Sequence, residues 1–259
     1  MALFDAWCNL DETKDKRKRL WQLTERDGAR EDIQAELAES MRSHYDRLER
    51  IAEDVDRLGY AAAAKILKAV LPQGAKARSG DLGEILATEL VEEKTEFTVP
   101  IRRLRYKDGR EMALRGDDFI GVGFDDADRL WLLKGESKSR QRLGKTTITE
   151  ARKALNRHHG RCTPDSLLFV ANRLLESDDA GDQELGRSIR DEVGLEALGP
   201  DRIDHMFFTL SGNGAPQALI DDWSGTGSDR NHYVVNLQVE DHGEFVEAMF
   251  DEVAQLGDD

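Results

Sequence analysis

Glu136 and Lys138 stand one residue apart at the end of an apolar run, in the stretch LLKGESKSR from Leu132 to Arg140. Side chains in a strand alternate between faces, so this carboxylate and this ammonium share a face and Ser137 takes the other. On an open surface such a pair is a solvated ion pair of small energy. Facing a substrate, the same pair has a chemistry. The carboxylate can hold a hard cation, and the ammonium can orient water or steady charge on a phosphate. What else the chain brings to that strand end decides between the two.

Other acids fall at two points. Asp117 and Asp118 follow Gly116 and directly precede the extended stretch FIGV, and Glu84 lies within GDLGEILATELVEE, a helical pattern. The stretches 110–125 and 127–139 read as strands joined by a DDAD turn at 125–128, which makes a hairpin. The start of the first strand then lies beside the end of the second, and Asp118 converges on Glu136. Carboxylates from separate elements, completed by water and phosphate oxygens, are what Mg²⁺ or Mn²⁺ requires. Asp118 is the candidate ligand with Glu136, and the Ser137 backbone carbonyl between the two catalytic positions is a third. Asp117 points elsewhere and is expected to cap or hydrogen-bond the turn. An all-oxygen set without Cys or a clear His ligand disfavours Zn²⁺.

The elements that must position these groups can be read from periodicity. Residues 11–70 read as helix almost throughout, with Ile33, Leu37, Met41, Tyr45, Leu48, Ile51, Val55 and Leu58 at three- and four-residue steps and Gly59 as a stop. A short helix then ends before Pro72. Ser79 or Asp81 is expected to cap the helix that carries Glu84. FTVPIRRLRYK reads as a strand, followed by a hairpin signal at Asp108-Gly109. A Thr-capped helix closes at Gly160. DSLLFVANRLL is expected as a fourth strand running into a helix or loop, and 197–212 holds another. A Gly/Ser-rich loop over 211–230, a strand near 231–240 and a C-terminal helix complete the order. This predicts an α/β (α+β) fold with a mixed sheet, divided into an N-terminal helical region, 1–75, and a main domain, 76–259.

The chain has 259 residues, a net charge of −15, and 34% charged residues. No apolar run is long enough to span a bilayer, and the N-terminus does not read as a signal peptide. The two cysteines, Cys8 and Cys162, have no ligand spacing and fit a reducing cytoplasm. So acidic a chain should bind nucleic acid weakly by itself. The charge is uneven, however. Between Lys134 and Arg161 nine bases meet only Glu136 and Glu150, whereas 176–201 is strongly acidic. Arg140, Arg142, Lys145, Arg152 and Lys153 are the candidate nucleic-acid contacts on that basic face.

The phrases GDDFI and GESK, joined by a hairpin and followed by a basic helix, resemble the PD-(D/E)xK nuclease superfamily and its α-β-β-β-α-β core. The Pro that often precedes the Asp is absent. The longer phrases SGDLGEILATE, VPIRRLRYKDGREMALRGDDFIGVG and LLKGESKSR resemble HamA, the nuclease family of Hachiman antiphage defence, most strongly over residues 76–172. The resemblance implies metal-dependent DNA cleavage restrained until infection, and a superfamily 2 helicase partner, HamB. It assigns the acid-x-lysine pair to Glu136 and Lys138, the hairpin aspartate to Asp118, and the superfamily's helix glutamate to Glu84.

Two other classes compete. A catalytically silent adaptor would use the same fold to regulate a helicase, though the presence of Asp118, Glu136 and Lys138 together argues for an intact site. An RNA-directed nuclease would use the same metal chemistry. His158 and His159 read as complements to a helix C-terminus, with DNA or metal contact as the lesser reading. Trp7, Trp21, Trp131 and Trp223 read as core or interface. The glycine-rich segments carry no phosphate-loop Lys, and no Ser-His-Asp order is present.

Overall fold

The computed structural model describes residues 2–256. Its elements run α1 (Leu3–Trp7), β1 (Cys8–Asp15), β2 (Lys18–Glu25), α2 (Ala29–Tyr45), α3 (Leu48–Leu58), α4 (Tyr60–Val70) and α5 (Ala75–Lys94). There follow β3 (Phe119–Phe124), β4 (Leu130–Arg140), α6 (Lys145–Leu155), α7 (Pro164–Leu175), α8 (Ala180–Leu195) and β5 (Ile203–Ser211). The chain ends with α9 (Gln217–Gly225), β6 (His232–Gln238) and α10 (His242–Val253). The strands form one six-stranded sheet in the order β1-β2-β6-β5-β4-β3. The four inner strands are parallel and the two edge strands antiparallel, which gives the mixed α/β architecture.

Side-chain alternation sorts the core onto two faces. Phe208, Leu210, Val235, Leu237 and Leu133 pack with α1, α2, α5 and α10. Phe207 and Val234 pack with α6 and α9, and Leu132 and Ile203 pack with α7 and α8. All nine residues of β5 are buried, as expected of a parallel strand covered on both sides.

Several expectations are corrected. Residues 8–25 are a hairpin, not helix, and β2 joins the main sheet through β6. The expected N-terminal helical region over 1–75 thus contains two strands. Strand β1 is exposed along seven of its eight residues, so no apolar stripe marked it. The long amphipathic helix breaks at Asp46-Arg47 into α2, which packs through Ile33, Leu37 and Met41, and α3, which buries nothing. Gly59 does end α3, at φ 80°.

Helix α5 begins at Ala75, so Ser79 and Asp81 lie inside it and are not caps. The stretch 97–107 makes only a single bridge, Thr98 to Val122, and a short 3₁₀ turn, Arg103–Tyr106. Asp108-Gly109 therefore joins no hairpin. Residues 164–175 form helix α7 throughout, with no strand before it. Pro164 at its first turn and Thr163, which accepts from the Ser166 N–H, start it. Helix α6 is preceded by Gly144, with no threonine cap. The loop expected over 211–230 contains α9. The strands at 203–211 and 232–238, the hairpin of β3 with β4, and the terminal helix stand as read.

Candidate active site

Strand β4 outruns its edge partner. Phe119 pairs with Gly135, and β3 begins there, so β4 has no strand neighbour on that side from Glu136 onward. Asp118 replaces the missing neighbour. Its N–H donates to the Gly135 carbonyl at 3.1 Å, and its Oδ2 accepts the Ser137 N–H at 2.7 Å. The Ser137 carbonyl, on the same edge, meets no strand. It accepts from Lys138 Nζ at 3.1 Å. The hairpin thus brings Asp118, Glu136, Ser137 and Lys138 together.

Two glycines make the approach possible. Gly116, at φ 94°, turns the chain into Asp117 where a Cβ would strike Ser166 Oγ at 2.1 Å. A Cβ on Gly135 would lie 2.2 Å from the Phe119 ring. The turn is also clamped. The buried Arg103 donates to the carbonyls of Asp117 and Arg115. Asp117 accepts the Thr163 N–H at 2.7 Å and faces the buried Lys134 ammonium at 3.4 Å. Asp117 is therefore an anchor to α7, as its expected turn role suggested, while Asp118 faces the site. Arg103 and Lys134 were not singled out by sequence. A buried guanidinium and a surface one look alike in IRRLRYK, and Lys134 sits where strand alternation predicts an ordinary charge.

Lys138 Nζ lies 2.5 Å from Glu136 Oε1 and 3.9 Å from Asp118 Oδ2. With the Ser137 carbonyl, the ammonium touches or faces all three expected ligand groups. Among the described residues no three His, Cys, Asp or Glu side chains form a ready-made metal site. One cation, that of Lys138, sits among the donors instead.

The electrostatics point to a surplus of negative charge. Burial, then Asp118, pushes the Glu136 carboxyl up to about 7, against the pull of Lys138. Burial raises Asp118 as well, with Lys138 opposing. Glu84 on α5 is raised well above the usual carboxylate range by burial, then by Asp118 and Asp81. Burial acts to lower Lys138, but Asp118 and Glu136 outweigh it and the net shift is upward. Two carboxyls, Asp118 and Glu136, share one ammonium at this strand edge and would be relieved by a second, hard cation. The donor set fits Mg²⁺ or Mn²⁺: Asp118 and Glu136 carboxylate oxygens and the Ser137 carbonyl. Glu84 stands behind Asp118. One turn earlier, buried Asp81 ties α5 to Tyr45 at 2.8 Å and to Lys107 at 2.9 Å.

The basic residues are only partly gathered. Arg140 ends β4, Arg142 lies in the following turn, Lys145 opens α6, and Lys153 lies near its end, all exposed. Arg152 is instead committed to Asp222 of α9 through contacts of 2.7 to 3.2 Å. It serves packing rather than an open face. His158 and His159 are exposed, in left-handed conformations at φ 53° and 57°. They follow α6 as a separate 3₁₀ turn rather than closing its last turn. Trp7 and Trp21 are core. Trp131 and Trp223 are half-buried.

The sequence matches the family described as HamA over residues 1–253. The chain belongs to the HamA family. A Hachiman protein HamA from Bacillus cereus is 27% identical over 220 residues, covering 85% of this chain and 75% of that protein. The HamA match includes the β1–β2 hairpin and α10, so both edges of the sheet and its C-terminal cover fall inside the family region. No described helix of this HamA-family chain is long and apolar enough to cross a membrane.

Proposed function

We propose that this chain is a PD-(D/E)xK-type, metal-dependent DNA nuclease of a Hachiman-type antiphage defence system, working in the cytoplasm with a HamB helicase. The observation that carries the reading is the Lys138 ammonium set among Glu136, the Ser137 carbonyl and Asp118. That is a cation position built from hard oxygens at an open strand edge. HamA membership and the likeness to the Hachiman protein support the biological setting.

Asp118 and Glu136, with the Ser137 carbonyl, would hold Mg²⁺ or Mn²⁺, which supplies charge against the scissile phosphate and a more acidic water. Lys138 donates to the phosphate oxygens as water adds at phosphorus and one P–O ester bond breaks. Asp118 keeps its second task of tying the end of β4 through Ser137. Glu84 stands beside Asp118, and burial and then Asp118 push its carboxyl upward. Arg140, Arg142, Lys145 and Lys153 contact the DNA backbone.

The partner reading rests on charge and on α3–α4. The chain carries −15 overall, so a partner must supply much of the grip on DNA. Helix α3 buries none of its residues, and Leu58, Tyr60, Ile66 and Val70 are exposed apolar side chains on this helical pair. That face is where the helicase docks. The test is cleavage of supercoiled plasmid by the purified chain with its helicase partner and Mg²⁺. Cleavage of labelled RNA alone would move the substrate to RNA. No cleavage of either in the assembled complex would leave the adaptor role.

A further inference from the structure

Beside the candidate site lies a groove of about 590 Å³ that this chemistry does not use. It opens where the end of β4 meets the first turns of α5 and α10. Lys76, Arg78 and Arg140 line it, with Glu247 as the opposing carboxylate. Arg78 also faces Asp251 at 3.8 Å and donates to the Pro72 carbonyl at 3.1 Å, which leaves Lys76 and Arg140 as the open cations. The floor is a buried polar chain. Ser79 Oγ donates to Ser139 Oγ at 2.8 Å, and Ser139 Oγ lies 2.8 Å from His242 Nε2.

The Ser139 contact orients the imidazole. In the tautomer in which Ser139 donates to Nε2, a neutral ring carries its proton on Nδ1. Burial, then Arg140, holds His242 below its ordinary range, so the ring is neutral at physiological pH. The side chain is 5% exposed. It lines the groove, and its Nδ1 has no partner among the described residues. Nδ1 reaches the solvent of the groove, where water or a ligand oxygen can accept from it. Free N–H groups in the first turns of α5 and α10 add further donors on the same side. Nothing added at Gly243 would meet another atom within 4 Å, so the backbone there is open to approach.

We propose that this groove is a phosphate-binding site that seats a nucleic-acid backbone or end phosphate one step along from the scissile bond. Its donors are His242 Nδ1–H, Lys76 and Arg140. Arg140 lies two residues beyond Lys138 at the end of β4, and the groove floor at Ser139 is on the face covered by α5 and α10. The inference rests on the nuclease reading for its biological ligand but not for its chemistry.

The test uses the full chain in EDTA, with ring-¹⁵N-labelled histidine and NMR detection. Six histidines make the spectrum tractable, and His242→Gln assigns the signal. Inorganic phosphate should move the His242 ring resonances, whose free pattern should be that of the Nδ1–H tautomer. Lys76→Ala with Arg140→Ala changes two exposed side chains and keeps the fold. It should weaken phosphate binding by about tenfold or more, the scale of one lost hydrogen bond to a charged group. Short single-stranded DNA with and without a 5′-phosphate separates the sources. Tighter binding of the phosphorylated strand marks an end phosphate, and equal binding marks an internal one. An unmoved His242, or unchanged affinity in the double variant, overturns the proposal. A chain that binds phosphate here yet never cuts DNA with Mg²⁺ and partner retains the site and loses the nuclease reading. Cleavage with a silent His242 does the reverse.

Discussion

Asp118 Oδ2 accepts the backbone N–H of Ser137 at 2.7 Å. A side chain thereby does what the next residue of β3 would have done, and the end of β4 that carries Glu136 and Lys138 is held without a strand on that edge. In the proposed nuclease one carboxylate would serve both architecture and chemistry, and substitutions separate the two roles.

Asp118→Asn should keep the bond to Ser137 through its amide oxygen and lose the charge. Asp118→Ala should lose both. We expect both variants to be inactive, with the alanine variant less stable than the asparagine variant by about 1–2 kcal/mol, the cost of a buried N–H without a partner. Denaturant unfolding followed by circular dichroism measures the difference. Equal stability would mean that the Ser137 contact contributes nothing.

Glu136→Ala and Lys138→Ala should each lower plasmid cleavage by roughly 100-fold or more, the range seen when one transition-state contact is removed. Phage protection should fall with them and the far-ultraviolet spectrum should not change. Wild-type cleavage by the doubly substituted chain would remove these residues from the active site.

EDTA should silence the enzyme, and Mg²⁺ or Mn²⁺ should restore it better than Zn²⁺, because the donors are all oxygen. Calorimetry should also detect proton release on Mg²⁺ binding near pH 6–7, since Glu136 titrates at about 7 and ligands bind deprotonated. Full activity in EDTA would exclude this chemistry.

The Glu136 carboxyl titrates higher in the folded chain than in the unfolded one. Between about pH 4.5 and 7 the folded state therefore holds the extra proton, and this group's contribution to stability falls as pH rises. Glu136→Gln removes that loss. Without metal, the variant should gain thermal stability over wild type as pH moves from 5 to 8, by roughly 2–4 °C for each kcal/mol. Scanning calorimetry at the two pH values checks it. A difference in melting temperature that is constant with pH would mean that Glu136 is not shifted upward.

Neutralising Arg142, Lys145 and Lys153 together should weaken DNA engagement by the helicase complex and flatten its dependence on salt, because fewer counterions are released. Co-purification with the helicase should survive. Arg152→Ala should behave differently. It breaks the contact with Asp222 and should lower stability more than it lowers DNA binding.

The sequence by itself determined which charged groups meet and the hairpin that assembles them. Glu136 and Lys138 share a face because strands alternate. Asp118 meets them because β3 and β4 are adjacent in sequence and joined by the turn at 125–128, so local rules sufficed. The terminal strands and helix were legible for the same reason. What sequence could not determine depended on distant partners. The exposed strand β1 carries no apolar pattern and exists because β2 pairs with β6, more than 200 residues away. The run LLFV at 167–170 is as apolar as a buried strand, and only its place over Leu132 and Ile203, behind the Thr163 cap, makes it helix. Arg152 looked like a DNA contact until α9 placed Asp222 against it. The Ser79–Ser139–His242 chain joins three elements across 163 residues of sequence. Periodicity records which face of an element is buried, but the partner that covers it is chosen by the whole fold.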